Sequence, residues 1–208
     1  LFDFPLICWT DGGTVPGARH INPELEPKST KQIDRNLRAN IGADQAAVLM
    51  YTSGTTGYPK AAIAVHARLH FTNYSMRQVT NVKSGGRLYV VLPVFHGVGL
   101  LSSLSALFWG ASIVLRRRFS ASNFWTDCVD YKVTAFVYIG ELMRYLINTP
   151  ECPEEKVHQV SSCGGNGMRP EVWGPFKKRF GITDIVEFYG STEGNFSLMN
   201  FDAKVGAI

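Results

Sequence analysis

A turn rich in glycine and hydroxyl groups, at residues 52–60, is the strongest chemical signal in this sequence. It lies between two apolar runs, at residues 46–50 and 61–65. Glycine allows an anion to approach the backbone closely, and hydroxyls, backbone N–H groups and a lysine ammonium donate hydrogen bonds to phosphate oxygens. The common P-loop is excluded, because only two residues separate the glycines and Ala61 follows the lysine. We therefore predict a different phosphate-binding loop, formed by Thr52, Ser53, Gly54, Thr55, Thr56, Gly57 and Lys60.

A second group of residues suited to nucleotide binding follows the apolar run at residues 182–186. Tyr189 offers a ring face on which a base can stack. Thr192 offers a hydroxyl to a phosphate, and the carboxylate of Glu193 is a suitable ligand for Mg²⁺ beside it. The alternative is a capped turn with a solvent-exposed acid. The predicted binding residues are Tyr189, Gly190, Ser191, Thr192 and Glu193.

A third signal is the glycine-rich segment at residues 164–167, which is also predicted to follow a strand. The bare backbone of Gly165 and Gly167 and the amide of Asn166 can form hydrogen bonds with the edge of an adenine. Each of the three signals alone can arise by chance. Their shared position on loops that follow strands of one sheet indicates a nucleotide site.

The elements that position these loops follow from an alternation of short apolar runs with longer amphipathic stretches. This alternation predicts βαβ units, and so an α/β fold with a mostly parallel sheet flanked by helices. The predicted strands are at residues 46–50, 61–65, 87–91, 111–115, 133–138, 157–162 and 182–188. The predicted helices are at residues 66–78, 99–109, 120–131, 139–148 and 170–180. Residues 1–45 are predicted to be an irregular connecting segment with one short helix near residues 31–37.

Composition and charge are those of a folded chain without a nucleic-acid surface. The 208 residues are 45% hydrophobic and carry a net charge of +4, which favours a buried core over long disorder. Basic clusters at residues 116–118 and 177–179 are interpreted as solvated helix ends. The four cysteines form no CxxC pair, which favours free thiols in a reducing compartment. No targeting segment is visible, and the uncharged run at residues 98–115 is predicted to be a buried helix followed by a buried strand rather than a membrane span.

Two further patterns are interpreted as structural or incidental. His66 and His70 have the i, i+4 spacing of zinc ligands on a helix, but no third ligand lies nearby at a suitable spacing. The glycosylation sequons that begin at Asn73 and Asn195 match the pattern alone.

The motifs at residues 52–60 and 189–193 resemble the nucleotide motifs of the adenylate-forming superfamily of acyl-CoA synthetases. Other segments are similar, more narrowly, to the fatty acid transport protein / very-long-chain acyl-CoA synthetase family. They are at residues 119–122, 124–125, 138–141, 144–146, 165–170 and 187–195. The departures are small: Tyr58 and Met168 stand where leucine is usual, and Gly97 follows His96 where serine is frequent.

The resemblance implies that residues 46–208 are a partial AMP-binding domain, part of the large N-terminal domain of an adenylate-forming enzyme, with the C-terminal lid domain absent. In such enzymes a fatty acid carboxylate attacks the α-phosphate of Mg·ATP, pyrophosphate leaves, and the thiol of coenzyme A captures the acyl-adenylate. The implied catalytic residues are Lys60, His96, Thr192 and Glu193, with Glu193 as the Mg²⁺ ligand and His96 lining the passage where carboxylate and thiol meet. The isolated chain is expected to be inactive.

The resemblance also implies that the whole protein associates with the cytosolic face of the endoplasmic reticulum or plasma membrane, where activation is linked to fatty acid uptake, and that it has no nucleic-acid partner. Two alternatives stay open, another carboxylic acid and a transport protein, whereas a third, an amino acid, is disfavoured. The acid can be another carboxylic acid, such as a bile acid. An amino acid substrate requires a carboxylate near Phe95-His96 to face its ammonium group, and the sequence has none there. A lipid-transport protein with a vestigial adenylation site would not need Lys60 and Glu193, which are both present.

Overall fold

The computed structural model describes residues 9–10, 19–20, 27–28, 31–52 and 58–207. These residues belong to two units, Leu1–Ile41 and Gly42–Ile208. In the first unit, β1 (Trp9–Thr10) and β2 (Arg19–His20) form a parallel pair. The short helix expected near residues 31–37 is a single 3-10 turn at Arg35–Arg38, which the carboxylate of Asp34 caps at its start.

An antiparallel ribbon begins the second unit. β3 (Ala46–Thr52) pairs with β4 (Lys60–Val65), so that the last residue of β3 lies opposite the first residue of β4. Both strands were predicted, but they form a two-stranded sheet of their own. The ribbon therefore brings Thr52 and Lys60, the two ends of the predicted phosphate-binding turn, opposite each other.

The helix α1 (His66–Thr80) starts at the residue that follows β4. Its first two backbone N–H groups donate to the carbonyls of Gln45 at 3.1 Å and Ala43 at 2.8 Å. The first N–H groups of a helix have no partner within the helix. These two bonds therefore satisfy them and attach the start of α1 to the ribbon.

Six further strands form the main sheet: β5 (Arg87–Val90), β6 (Ser112–Leu115), β7 (Ala135–Ile139), β8 (Ser162–Asn166), β9 (Asp184–Tyr189) and β10 (Leu198–Asn200). Their spatial order is β10-β9-β8-β7-β5-β6. All neighbouring strands from β9 to β6 are parallel, and β10 pairs antiparallel with β9. The predicted α/β fold with a mostly parallel sheet is confirmed.

Helices cover both faces of this sheet: α2 (Gly97–Phe108), α3 (Phe124–Asp130), α4 (Gly140–Asn148) and α5 (Pro170–Phe180). Successive side chains of a strand point to opposite faces. Accordingly, Val186 and Phe188 of β9 join a buried cluster with residues of α1 and α2, whereas Ile185 joins a separate cluster with residues of α3, α4 and α5. The second cluster contains the large rings Phe124, Trp125, Phe136, Tyr138, Trp173 and Phe176.

The direction of the chain reverses at β5, and this reversal sets where a ligand can bind. From β5 the chain passes through α2 on one face to the edge strand β6, and from β7 it passes through α4 on the other face to β8. Helices that leave adjacent parallel strands toward opposite faces open a crevice at the carboxyl ends of those strands. The predicted nucleotide residues at the end of β8 and after β9 lie at this edge, whereas Thr52 and Lys60 belong to the separate ribbon.

One predicted strand is wrong. The run at residues 157–162 was expected to be a strand, but the strand is Ser162–Asn166, and a 3-10 turn at Pro153–Lys156 precedes it. Because β8 contains two glycines, it has no apolar run in the sequence. A Cβ on Gly164 would lie 2.2 Å from the carbonyl oxygen of Val79, so the close approach of α1 requires glycine. Gly165 and Asn166 therefore belong to the strand itself, and not to a loop after it.

Two smaller expectations concern the helices. Ser120 was expected within a helix at residues 120–131, but α3 begins at Phe124, and the Ser120 hydroxyl accepts a hydrogen bond from the Asn123 side chain in the preceding turn. The uncharged run at residues 98–115 is a helix and a strand separated at Gly110, as predicted, but the strand was expected to be buried and is instead the edge strand β6, none of whose residues is buried. In the described part of the chain, none of the helices has the length and apolar character needed to span a bilayer.

Candidate functional site

A cavity of about 140 Å³ opens at the carboxyl edge of the sheet, between α1, α2, β9 and the loop at residues 190–197. Its apolar wall includes Met50, Phe71, Met76, Val98, Leu101, Phe188 and Phe196. Its polar wall includes Arg68, Thr72, Ser75, His96, Asn166, Ser191, Thr192, Asn195 and Ser197. In the described structure, this cavity is lined by residues of the second and third chemical signals of the sequence and by His96.

The cavity brings together predicted site residues from three segments of the chain. His96 comes from the segment after β5, Asn166 from the end of β8, and Gly190, Ser191 and Thr192 from the loop after β9. These strand ends lie along one edge because the strands are parallel. The described ends of the first predicted signal, Thr52 and Lys60, belong instead to the separate two-stranded ribbon and do not line this cavity.

Other predicted residues lie outside the wall of this cavity. Tyr189 is 65% exposed at the end of β9, so its ring is open to a stacking partner. Glu193 is exposed in the same loop. Gly165 is buried within β8, and a Cβ there would lie 2.2 Å from the carbonyl oxygen of Tyr138. Gly167 has a positive φ of 78°, a conformation that glycine adopts without strain.

The predicted phosphate-binding turn is described only at its two ends. Thr52 ends β3 and Lys60 begins β4, and the Thr52 hydroxyl donates to the Lys60 carbonyl at 3.3 Å. Both ends therefore meet across the ribbon, with Lys60 exposed. The remaining predicted residues of the turn, Ser53, Gly54, Thr55, Thr56 and Gly57, lie outside the described residues.

His96 is held at the start of α2 by local hydrogen bonds. Its ring Nδ1 accepts from the backbone N–H of Val98 at 3.4 Å, and its own backbone N–H donates to the carbonyl of Pro93 at 3.0 Å. A Cβ on Gly99 would lie 2.3 Å from that same carbonyl, so glycine is needed for the tight approach of α2. Because Nδ1 is an acceptor here, the neutral ring carries its proton on Nε2, as assigned from the hydrogen bond. His96 can thus donate a hydrogen bond at the cavity wall.

Glu187 is a buried carboxylate that the sequence analysis did not single out. It is 3% exposed, and its Oε1 accepts from the hydroxyl of Tyr138 at 3.0 Å and from the backbone N–H of Met168 at 2.7 Å. Burial raises the pKa of Glu187, while the hydrogen bonds from Met168 and Tyr138 oppose that rise. Burial likewise raises the pKa of Tyr138, so this phenol stays a donor. The signal in the sequence was an acid at a core-facing position of an apolar strand.

Arg68 is the second residue that the sequence analysis missed. It lies in the first turn of α1, and its Nη2 donates to the carbonyls of Thr192 and Gly194, each at 2.6 Å. An arginine on a helix carries no sequence signal for a partner so distant in the chain. Arg68 also lines the cavity.

The site suits a metal ion that arrives with a ligand. Among the described residues, no group of three or more histidine, cysteine, aspartate or glutamate side chains is arranged to hold a metal. Mg²⁺ usually keeps several waters and is bound by one or two carboxylates together with substrate phosphates. The exposed carboxylate of Glu193, next to Thr192, fits that role.

The remaining sequence patterns have structural explanations. His70 packs edge-on against Phe108, with ring centroids 5.6 Å apart. Asn73 is buried within α1, so its sequon cannot carry a glycan in the folded chain. The basic residues 177–179 lie at a helix end, in the last turn of α5, as interpreted, but Arg179 is not solvated, because its side chain is only 14% exposed and forms an ion pair with the buried Glu155 at 2.6 Å. The cluster at residues 116–118 is not a helix end, because it follows β6, and there Arg116 pairs with Asp127.

Comparison with known proteins places the chain in a family. The AMP-binding enzyme family matches residues 9–206. The chain is 44% identical over 201 residues to long-chain fatty acid transport protein 5 of Mus musculus, covering 93% of the chain and 28% of that protein. It is 40% identical over 196 residues to long-chain fatty acid transport protein 1 of Homo sapiens, covering 94% and 30%. The chain thus spans about 30% of the length of these curated relatives.

Solved structures share the fold. The N-terminal domain of FACL13 from Mycobacterium tuberculosis, solved with an inhibitor, has a TM-score of 0.70 at 22% identity, covering 82% of this chain and 42% of that one. ATP-bound MatB from Rhodopseudomonas palustris has a TM-score of 0.69 at 23% identity, covering 79% and 33%. The o-succinylbenzoate coenzyme A synthetase MenE from Bacillus subtilis, in complex with AMP, has a TM-score of 0.63 at 27% identity, covering 76% and 33%.

Proposed function

Because this chain belongs to the AMP-binding enzyme family, we propose that the whole protein is an ATP-dependent ligase that converts long-chain or very-long-chain fatty acids to acyl-CoA. The similarity to long-chain fatty acid transport proteins supports the choice of a fatty acid, since it extends over more than nine-tenths of the chain. We also propose that the activation is coupled to fatty acid uptake at the cytosolic face of the endoplasmic reticulum or plasma membrane.

The observation that carries this proposal is the composition of the cavity wall. Apolar side chains from α1, α2 and β9 form much of the wall. Among its described residues, Arg68 carries a permanent charge, which is positive. No aspartate or glutamate of the described residues lines it. A substrate ammonium group would be buried there without a partner, which is unfavourable. The wall therefore suits an acid with an apolar body, and disfavours an amino acid.

The reaction proceeds in two steps, in which the bonds form and break between the substrates and the protein takes little covalent part. A carboxylate oxygen of the acid attacks the α-phosphorus of ATP, the bond from that phosphorus to the bridging oxygen breaks, and pyrophosphate leaves. The thiolate of coenzyme A then attacks the acyl carbon, and AMP leaves with the oxygen that came from the carboxylate. Catalysis of phosphoryl chemistry of this kind rests on alignment and on stabilisation of charge.

The residues at the edge of the sheet divide these tasks. The Thr192 hydroxyl donates to the α-phosphate, and the exposed Glu193 holds the Mg²⁺ that neutralises phosphate charge. Lys60 and the turn at residues 52–57 bind the β- and γ-phosphates. Tyr189 stacks on the adenine ring, and residues 165–167 form hydrogen bonds with the adenine edge. His96, at the cavity wall, lines the passage where the carboxylate and the thiol meet.

The size of the cavity limits what the described residues hold. Pockets that enclose a drug-sized ligand have volumes of about 300–1,000 Å³, whereas this cavity has about 140 Å³. It accommodates the carboxyl end of the acid and the first part of its chain. The rest of a long acyl chain lies against parts of the whole protein beyond the described residues.

Two other functions are compatible with parts of the site. A bile acid or another apolar acid satisfies the same cavity wall. A lipid-transport protein with a vestigial adenylation site keeps the apolar wall but has no need of the phosphate- and metal-directed groups Lys60, Thr192 and Glu193, all of which are present.

The experiment that tests the proposal is ATP–pyrophosphate exchange by the whole protein with a panel of acids. We expect exchange with oleate and with a very-long-chain acid, and none with amino acids. Exchange that requires cholate instead of oleate would favour the bile acid alternative. Fatty acid transfer into vesicles without any exchange would favour the transport alternative.

A further inference from the structure

The turn that carries Thr192 and Glu193 is held by a side chain from another element. The carbonyls of Thr192 and Gly194 flank Glu193, and both accept hydrogen bonds at 2.6 Å from the same Nη2 of Arg68. Hydrogen bonds with a charged donor are about twice as strong as those between neutral groups. The guanidinium therefore fixes the backbone of the residues on both sides of the proposed metal ligand.

The turn has little other support. Within it, the backbone N–H of Gly194 donates to the carbonyl of Ser191 at 3.1 Å. Ser191 and Glu193 are exposed, and their side chains do not pack in the core. In the described part of the chain, Arg68 is the only side chain that forms a hydrogen bond with residues 191–195. Exposed backbone with few contacts opens locally at low cost, so the loss of Arg68 would free the turn.

The other end of this connection is the ribbon that carries Lys60. α1 follows β4 without a gap, and its first two N–H groups bond to residues at the base of the ribbon. Arg68 extends from that anchored first turn to the loop after β9. It therefore joins the element that presents the phosphate lysine to the element that presents the metal ligand.

We propose that Arg68 is a positioning residue, which holds the Thr192–Gly194 turn so that Thr192 and Glu193 face the α-phosphate and its Mg²⁺. The inference rests on the proposed function, since it assigns Arg68 to the same site. An arginine is required because its planar guanidinium presents several donors in a fixed geometry. A lysine keeps the positive charge, but it replaces the planar guanidinium with a single mobile ammonium group.

The test uses three variants of the whole protein. Arg68→Met removes the donors and the charge, and Arg68→Lys retains the charge alone. Arg77→Met is the matched control, because Arg77 lies on the same helix, with its guanidinium 4.1 Å from the centroid of the Trp109 ring and outside the cavity wall. The first readout is the Mg²⁺ titration of fatty acid-dependent pyrophosphate exchange. The second is hydrogen exchange of the peptide at residues 190–197, with and without MgATP.

We expect Arg68→Met to lower kcat/KM about ten- to hundred-fold and to need several-fold more Mg²⁺. Its 190–197 peptide should exchange faster and lose the protection that MgATP confers. Arg68→Lys should restore little of either property, and Arg77→Met should match the wild type in both.

Unchanged hydrogen exchange in Arg68→Met would overturn the inference, as would full recovery in Arg68→Lys. Faster exchange with a wild-type Mg²⁺ titration would show a merely structural contact and would also overturn it. A wild type without pyrophosphate exchange would reject the proposed function instead. The MgATP-dependent protection of the 190–197 peptide needs no turnover, so it still decides the role of Arg68 in that case.

Discussion

Substitution of Glu187 separates the two roles of this buried carboxylate, as a hydrogen-bond acceptor and as a charge. Glu187→Leu leaves the Tyr138 hydroxyl and the Met168 N–H without their acceptor in the core. Each unsatisfied buried donor costs about 1–3 kcal/mol, so we expect a local loss of about 2–6 kcal/mol. Glu187→Gln keeps an acceptor oxygen and removes the charge, so its cost should be much smaller.

The two variants should also differ from the wild type in their dependence on pH. The pKa of Glu187 is raised in the folded state, chiefly by burial. The folded state therefore binds this proton more tightly than the unfolded state does. This group adds stability below the unfolded pKa near 4.5, and that contribution is lost as the pH rises through the raised folded pKa. Glu187→Gln has no group that titrates at this position. Its stability should therefore change less between the unfolded pKa near 4.5 and the raised folded pKa.

The assay is hydrogen exchange of the peptide that contains Met168, measured in the whole protein at pH values on both sides of the interval. A local readout is preferable because a large protein need not unfold in one step. We expect fast exchange in Glu187→Leu, and exchange near the wild-type rate in Glu187→Gln. The KM for ATP should rise in Glu187→Leu, because Met168 follows the residues assigned to adenine. Equal protection of the Leu and Gln variants would refute the reasoning, since it would show that the two hydrogen bonds contribute nothing.

Four further predictions follow from the site and the fold. Lys60→Ala should lower kcat/KM of pyrophosphate exchange about ten- to hundred-fold, since a charge-assisted hydrogen bond contributes roughly 1.5–3 kcal/mol; wild-type exchange would reject this role. Glu193→Gln should need much more Mg²⁺ with an unchanged circular dichroism spectrum, and an unaltered titration would make Glu193 an ordinary loop acid. Gly164→Ala should lower the melting temperature strongly, because its Cβ would lie 2.2 Å from the Val79 carbonyl oxygen. Gly174→Ala is the control, since Gly174 faces open space on α5, and it should stabilise the fold by roughly 0.5–1 kcal/mol. Equal melting temperatures of the two variants would contradict the close approach of α1 to β8. The 208-residue chain alone, which spans about 30% of the length of its curated relatives, should form no acyl-CoA from ATP, coenzyme A and oleate, and a purified sample that does so would overturn that expectation.

The sequence predicted the elements whose patterns are local. Apolar runs and amphipathic stretches alternate along the chain, and this alternation indicated most strands and helices of the sheet in their correct order. The candidate residues at the strand ends were proposed because glycine, hydroxyl and acidic groups cluster there. The parallel sheet brings His96 and Thr192, which follow strands, and Asn166, which ends β8, to one cavity.

The features that the sequence did not reveal depend on tertiary contacts. β8 contains Gly164 because α1 crosses closely over it, and that requirement of packing removed the apolar run that marks a strand. The strand was therefore placed too early, at residues 157–162. Arg68 finds its partners on a loop more than a hundred residues away, and no spacing rule connects the two. Glu187 was missed because the sequence shows only an acid in an apolar strand. Its hydrogen-bond donors, Tyr138 and Met168, are brought to it by the fold.

The oxygen-18 content of the AMP product tests the proposed acyl-adenylate chemistry most directly. The whole protein is incubated with ATP, Mg²⁺, coenzyme A and oleate labelled with ¹⁸O in its carboxylate, and the AMP is analysed by mass spectrometry. Attack of the carboxylate on the α-phosphorus places one labelled oxygen between the acyl carbon and the phosphorus, and AMP retains it when the thiolate displaces it. We predict one ¹⁸O atom in each AMP formed. Unlabelled AMP, or label that appears in inorganic phosphate with ADP as the other product, would contradict the proposed function.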